Sequence, residues 1–200
     1  MPLLFALSML LILYLKPKGL RGIIEEKLTS FTTQNKLEKD KYHSFKDISL
    51  PSLDEKAQIE HIVVSRFGIF LIEKKYMKGW IYGGKKRKEW TQKQPSRKFT
   101  FQNPLLRNSK NINILSHMLN VPDDKFHSLI AFTGNCIFKS AMPDNVTGKN
   151  YIDYIKSKKT EVFTQEEMLD CINKIKNLKK ERTRPTCRKQ VTYLRQPFRT

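Results

Sequence analysis

Acidic residues are scarce in this chain: 19 Asp and Glu stand against 38 Lys and Arg, a formal charge of +19 over 200 residues. A surplus of that size favours a polyanionic partner, either nucleic acid or an anionic membrane face. Cysteine is sparse as well. Cys136, Cys171 and Cys187 lie far apart, which excludes a C-x-x-C zinc site and suggests no disulfide framework; free thiols in a reducing compartment are the simpler reading. No G-x-x-x-x-G-K-[ST] loop exists. Gly83-Gly84-Lys85-Lys86 lacks both the spacing and the hydroxyl, so no nucleotide cofactor is expected. Internal repeats are absent, and the length suits one domain with a sizeable core plus appendages.

Apolar runs long enough to cross a bilayer are also missing, with one partial exception. From Leu3 to Leu15 only Ser8 interrupts an apolar stretch, which Lys16-Pro17-Lys18 then stops. As a helix it would span roughly 20 Å, short of a hydrocarbon core of roughly 30 Å. A signal peptide fits poorly, because no cation precedes the run and no small-residue cleavage site follows. A buried core helix is the plain alternative, but apolar residues cover every side of the helical wheel. The favoured expectation is a membrane anchor at residues 1–16, with Lys16, Lys18 and Arg21 holding the rest on the cytoplasmic face.

What is present is a pair of strands whose ends carry acids. Ile62-Val63-Val64-Ser65 and Ile69-Phe70-Leu71-Ile72 flank Arg66-Phe67-Gly68, β-rich runs around a Gly-bearing turn. With a two- or four-residue loop, paired positions sum to the constant set by Ser65 and Gly68. Glu60 then lies opposite Glu73, and side-chain alternation puts Lys75 and Gln58 on the same face. Two facing carboxylates destabilise a strand pair, and such pairs carry a raised pKa or a bound cation. A hard divalent ion such as Mg²⁺, which takes one or two carboxylates and keeps several waters, relieves the repulsion. Lys75 could then hold a phosphate or orient a water. Two readings stay open, since the same residues suit a solvated sheet end with weak surface ion pairs. A three-residue loop with a bulge would separate the acids.

The rest of the chain reads as mixed strands and helices. A first helix carries Leu20, Ile23, Ile24, Leu28 and Phe31, and a strand runs from Tyr42 to Leu50. A second hairpin joins Trp80-Ile81-Tyr82 to Lys88-Glu89-Trp90-Thr91, with basic Lys85, Lys86, Arg87 and Lys88 at its turn. Asn103-Pro104 opens a helix to about Asn120. Strands follow at Ser128–Thr133 and Cys136–Phe138, then a helix near Asn150–Lys158 and a short strand at Glu161–Phe163. A capping box at Thr164–Glu167 starts the last helix. The pattern implies an α/β mixed sheet flanked by helices. His61 reads as a core histidine on the face away from Glu60, Trp90 and Gln92 as core and edge residues, Asn103 as a helix cap, and Cys136 as a small hydrophobe. Residues 179–200 hold eight basic residues and one acid. They read as a disordered cationic tail, either a salt-sensitive phosphate-binding arm or a solvated end.

Between about Lys18 and Val121 the chain resembles the nuclease-related domain (NERD), a branch of the PD-(D/E)xK restriction-endonuclease-like nucleases. The resemblance is carried in order by Lys18-Gly19-Leu20-Arg21-Gly22, Asp47-Ile48-Ser49-Leu50-Pro51, Gln58-Ile59-Glu60-His61-Ile62-Val63-Val64, Gly68-Ile69-Phe70-Leu71-Ile72-Glu73-Lys74-Lys75, Gly79, Trp90-Thr91-Gln92 and Phe101-Gln102-Asn103-Pro104-Leu105. It implies a nuclease core at residues 18–121, with residues 122–178 completing the same restriction-endonuclease-like α/β domain. It also implies Mg²⁺-dependent hydrolysis of DNA, with Mn²⁺ as a substitute ion. Glu60 and Glu73 are the implied ligands, with Lys75 at the attacking water and Gln58 beside it. Three departures stand out. The family usually has Asp where this chain has Glu60, and Glu where it has Ile23; Glu26 lies one helical turn on, nearest to that direction. The scattered cysteines cannot build the zinc ribbon that some relatives append. A degenerate fold that binds or tethers nucleic acid without cleaving it is the alternative.

Overall fold

The computed structural model describes residues 37–50 and 57–181. The apolar segment at residues 3–15, the helix expected around Leu20–Phe31 with Ile23 and Glu26, and the tail beyond residue 181 lie outside the described residues. Among the described residues no helix is long and apolar enough to cross a membrane. Nine strands and three α-helices are described, arranged as two mixed sheets with helices packed on them.

The larger sheet is built on β1 (His43–Leu50), β2 (Ala57–Ser65) and β3 (Gly68–Lys75). β2 and β3 pair antiparallel from His61 opposite Ile72 to Ser65 opposite Gly68, the register that a two-residue loop dictates. Phe67 N–H donates to Ser65 Oγ (3.2 Å) within that turn. Gly68 leaves it at φ 127°, where a Cβ would meet the His127 ring at 2.8 Å, so glycine is required there. β3 then pairs parallel with β7 (Phe126–Phe132), which pairs parallel with the short β9 (Val146–Thr147).

Alternation along β2 and β3 separates two apolar cores. Ile62, Val64, Ile69 and Leu71 face α1 (Pro104–Leu119) and α3 (Gln165–Glu181), where Leu115, Leu119, Met168, Ile172 and Ile175 cover them. Val63, Phe70 and Ile72 face the other way onto Tyr151, Ile152 and Ile155 of α2 (Tyr151–Ser157). Each such fully buried side chain contributes about 1.5–3 kcal/mol, so the central strands carry much of the packing energy of the described residues.

The smaller sheet has the order β6-β5-β4-β8, from β4 (Gly79–Tyr82), β5 (Glu89–Gln94), β6 (Arg97–Gln102) and β8 (Cys136–Phe138). Ile81 and Trp90 on its inner side join Ile130, Phe132 and Val146 in a third core, with Trp90 stacked on Phe132. Cys136 packs against that core as a small hydrophobe.

Both helix caps expected from sequence form. Asn103 Oδ1 accepts from Leu105 N–H (2.9 Å) ahead of Pro104, and Thr164 and Glu167 bond reciprocally at the start of α3. One expected strand does not form. Around Glu161–Phe163 the Val162 and Phe163 N–H groups both donate to Arg66 O (2.8 and 3.1 Å), which ties a loop to the β2–β3 turn. Phe163 is apolar there because it plugs the core under α3, not because it lies in a ladder. β6 and β9 were not anticipated.

Candidate functional site

The β2–β3 ladder ends at His61 and Ile72, and the site begins where the strands part. β3 stays paired to β7 as far as Lys75 opposite Phe132, so it runs on straight while β2 diverges. Glu60 bridges the opening: its Oε2 accepts the Lys74 N–H at 3.0 Å, a side chain standing in for the missing ladder bond. The β1–β2 pairing is also interrupted at this level. Lys46 pairs with His61 and Ile48 with Ile59, while Asp47 between them sits at φ 56°.

Glu60 and Glu73 continue the face of Ile62 and Leu71, so both carboxylates project on the α1 side of the sheet. Glu73 is buried, and two cations meet it. Lys75 Nζ lies 2.8 Å and Arg107 Nη2 2.7 Å from Oε1, while Arg107 Nε–H donates to Oε2 at 3.1 Å. Neither cation is aligned on Oε1 as a hydrogen bond, so that oxygen is held by charge alone. Burial raises the pKa of Glu60 first of all; the Lys74 N–H opposes this, the Glu73 charge adds to it, and Lys75 and Arg107 oppose it. A carboxylate that burial and a neighbouring anion both disfavour gains by binding a cation.

Carboxylate oxygen is the donor type that hard divalent ions take. Glu60 and Glu73 offer oxygens on one face, and Mg²⁺ takes one or two carboxylates with water completing its shell. Among the described residues no third His, Cys, Asp or Glu joins them, and Glu26 lies outside the described residues. Gln58 is exposed at the start of β2, opposite Ser49 of β1.

Lys85, Lys86, Arg87 and Lys88 form the exposed turn between β4 and β5. Their backbone is anchored by Asn103, whose Nδ2 donates to Arg87 O (2.7 Å) and Lys85 O (3.3 Å) while its N–H donates to Lys88 O (2.9 Å). One side chain thus caps α1 and fastens the basic turn. Trp90 beneath it is fully buried, with Nε1–H donating to Gly84 O (3.1 Å). His61 is buried on the opposite face, its Nε2 2.7 Å from Ser44 Oγ and its Nδ1 without a partner. Burial depresses its pKa to about 3, so the ring is neutral.

Arg107 was not anticipated from sequence. The only available signal was its place one turn into a helix opened by Asn103-Pro104; Asn108 beside it bonds Leu71 O and Ser128 Oγ (both 2.9 Å), which fixes the face that α1 turns to β3.

Residues 21–133, more than half of the chain, match the nuclease-related domain family (NERD). An uncharacterized protein of Bacillus anthracis is 34% identical over 86 residues, which cover 42% of this chain and 41% of that protein. The chain therefore matches about two fifths of that curated relative's length. No solved structure is significantly similar to it.

Proposed function

The chain belongs to the nuclease-related domain family, and from that premise we propose that it hydrolyses phosphodiester bonds of DNA with a divalent metal ion. The observation that carries the proposal is the splayed end of β2 and β3, where Glu60 and Glu73 share one face and Lys75 reaches Glu73 at 2.8 Å. The five-stranded sheet, with its central antiparallel pair and parallel β3–β7 step, is read as the restriction-endonuclease-like core. Glu60 and Glu73 would hold Mg²⁺, or Mn²⁺ in its place. When bound, such an ion offsets charge on a phosphoryl oxygen and makes a water a better nucleophile at neutral pH.

The chain's own groups divide the remaining work. Lys75 is part-buried and pinned to Glu73, so its ammonium is positioned to orient the attacking water or the scissile phosphate. Lys85, Lys86, Arg87 and Lys88 hold the DNA backbone without reading sequence. Residues 3–15 tether the domain to the cytoplasmic face of a membrane, with Lys16, Lys18 and Arg21 on that side.

Arg107 favours a second reading. By spanning both oxygens of Glu73 it neutralises the carboxylate without any metal, as suits a degenerate fold that binds DNA but does not cut it. Plasmid nicking with Mg²⁺ or Mn²⁺ separates the two. Cleavage by the parent, lost in both Glu73→Ala and Lys75→Ala, supports the hydrolase; no cleavage by the parent, or equal cleavage by all three, supports the binding protein.

A further inference from the structure

The outer side of the smaller sheet carries an aromatic and cationic surface well separated in kind from the acid cluster. Ile81, Trp90 and Phe138 turn inward to the third core. Alternation therefore turns Trp80, Ile137, Lys139 and Lys93 outward. Trp80 on β4 lies opposite Lys93 of β5 on one side and Ile137 of β8 on the other, and Lys93 lies opposite Lys98 of β6. Trp80 is 42% exposed and Ile137 58% exposed. Lysines flank the indole from both neighbouring strands: Lys93 Nζ is 5.7 Å and Lys139 Nζ 5.3 Å from the ring centroid. A large apolar ring partly open to water beside an exposed Ile137, with two ammonium groups over it, is a poor solution for folding alone.

We propose that this face binds single-stranded nucleic acid, with one unpaired base stacked on Trp80 and the adjoining phosphates held by Lys93, Lys98 and Lys139. Both halves of the chemistry are required. The cations select a polyanion, and an open indole selects a partner with exposed π-faces; a duplex presents its phosphates but keeps its bases stacked on each other. Stacking by a base is stronger than an exposed ammonium–ring contact, so the lysines can leave the ring for phosphates as the base arrives. The basic turn Lys85–Lys88 joins β4 to β5 of the same sheet. Trp80 follows Lys75 by five positions, so their Cα atoms are at most about 17 Å apart. A strand held on this face thus reaches the acid cluster within a few nucleotides. The inference shares with the proposed function only the nature of the partner; it does not need cleavage.

The test is a binding titration of the full chain in EDTA, which isolates binding from hydrolysis, using oligothymidylate and a duplex of equal length. The chain has two tryptophans, and Trp90 is fully buried, so emission accessible to iodide belongs to Trp80. Oligothymidylate should quench that emission and protect it from iodide, while the duplex should not. Trp80→Ala should weaken oligothymidylate binding about tenfold to a hundredfold, with Trp80→Phe restoring most of it. Replacing Lys93 and Lys139 by Ala should lower the salt slope by about 0.7 per lysine. Trp90 emission reports whether each variant is folded. Unquenched Trp80 in the parent, equal protection by the duplex, or protection by anionic vesicles but not by oligothymidylate would each overturn the proposal. Loss of nicking in Glu73→Ala with binding intact leaves it standing, so its failure and that of the hydrolase reading are distinguishable.

Discussion

Arg107 spans the carboxylate of Glu73, with Nε 3.1 Å from one oxygen and Nη2 2.7 Å from the other. The pair ties the first turns of α1 to the end of β3. It also sets the charge of the site, because Glu73 is buried and its only other cation among the described residues is Lys75.

Removing the guanidinium would leave a buried carboxylate half neutralised. Arg107→Ala is expected to cost about 1–2 kcal/mol in urea unfolding, at the lower end for a charged pair because Arg107 is half exposed and Lys75 remains. Arg107→Lys should recover less than half of the loss, since an ammonium cannot span both oxygens. A midpoint for Arg107→Ala equal to that of the parent would show that Lys75 alone suffices.

Glu60 should oppose folding when ionised. Its pKa is raised chiefly by burial, so the folded state binds its proton more tightly than the unfolded chain does. The stability it contributes is present below the ordinary carboxylate pKa and is lost as pH rises through the raised one. Glu60→Gln keeps an acceptor for the Lys74 N–H and removes the charge. At pH 8 it should be more stable than the parent by a few tenths to about 1 kcal/mol, and the gap should close towards pH 4. A destabilised variant at pH 8 would show that the Glu60 charge does not oppose folding.

His61 makes the opposite demand on pH. Its folded pKa is about 3, against about 6.5 in the unfolded chain, so between these values the unfolded state binds the extra proton. Stability therefore falls as the solution is acidified below pH 6.5. From this group alone the protein should lose about 2 kcal/mol between pH 8 and pH 5. His61→Gln, which can still bond Ser44, should flatten that part of the profile; urea midpoints across the range are the measurement.

Asn103 joins two elements and should show it. Asn103→Asp keeps the cap oxygen but loses the Nδ2 donor to Arg87 O and Lys85 O. It should retain α1 while speeding hydrogen exchange in the 84–88 turn. Asn103→Ala loses both functions, costing about 1 kcal/mol for the cap and more for the freed turn. Equal exchange in parent and Asn103→Asp would remove Asn103 as the anchor of that turn.

The sequence by itself determined the local features. Apolar alternation and a short Gly-bearing turn specify the β2–β3 register, and with it the shared face of Glu60 and Glu73. Asn103-Pro104 and Thr164–Glu167 specify two helix starts, and the basic run at 85–88 specifies a solvated turn. These depend on neighbours along the chain, where spacing alone decides who meets whom. Glu161–Phe163 escaped this reasoning because an apolar pair such as Val162-Phe163 looks the same in a ladder as in a core plug. Arg107 meeting Glu73, Trp80 standing open between Lys93 and Lys139, and the parting of β2 from β3 were decided only by tertiary structure. Each depends on how α1, β7 and β8 dock on strands distant in sequence, and docking is set by the fit of whole surfaces rather than by any local pattern.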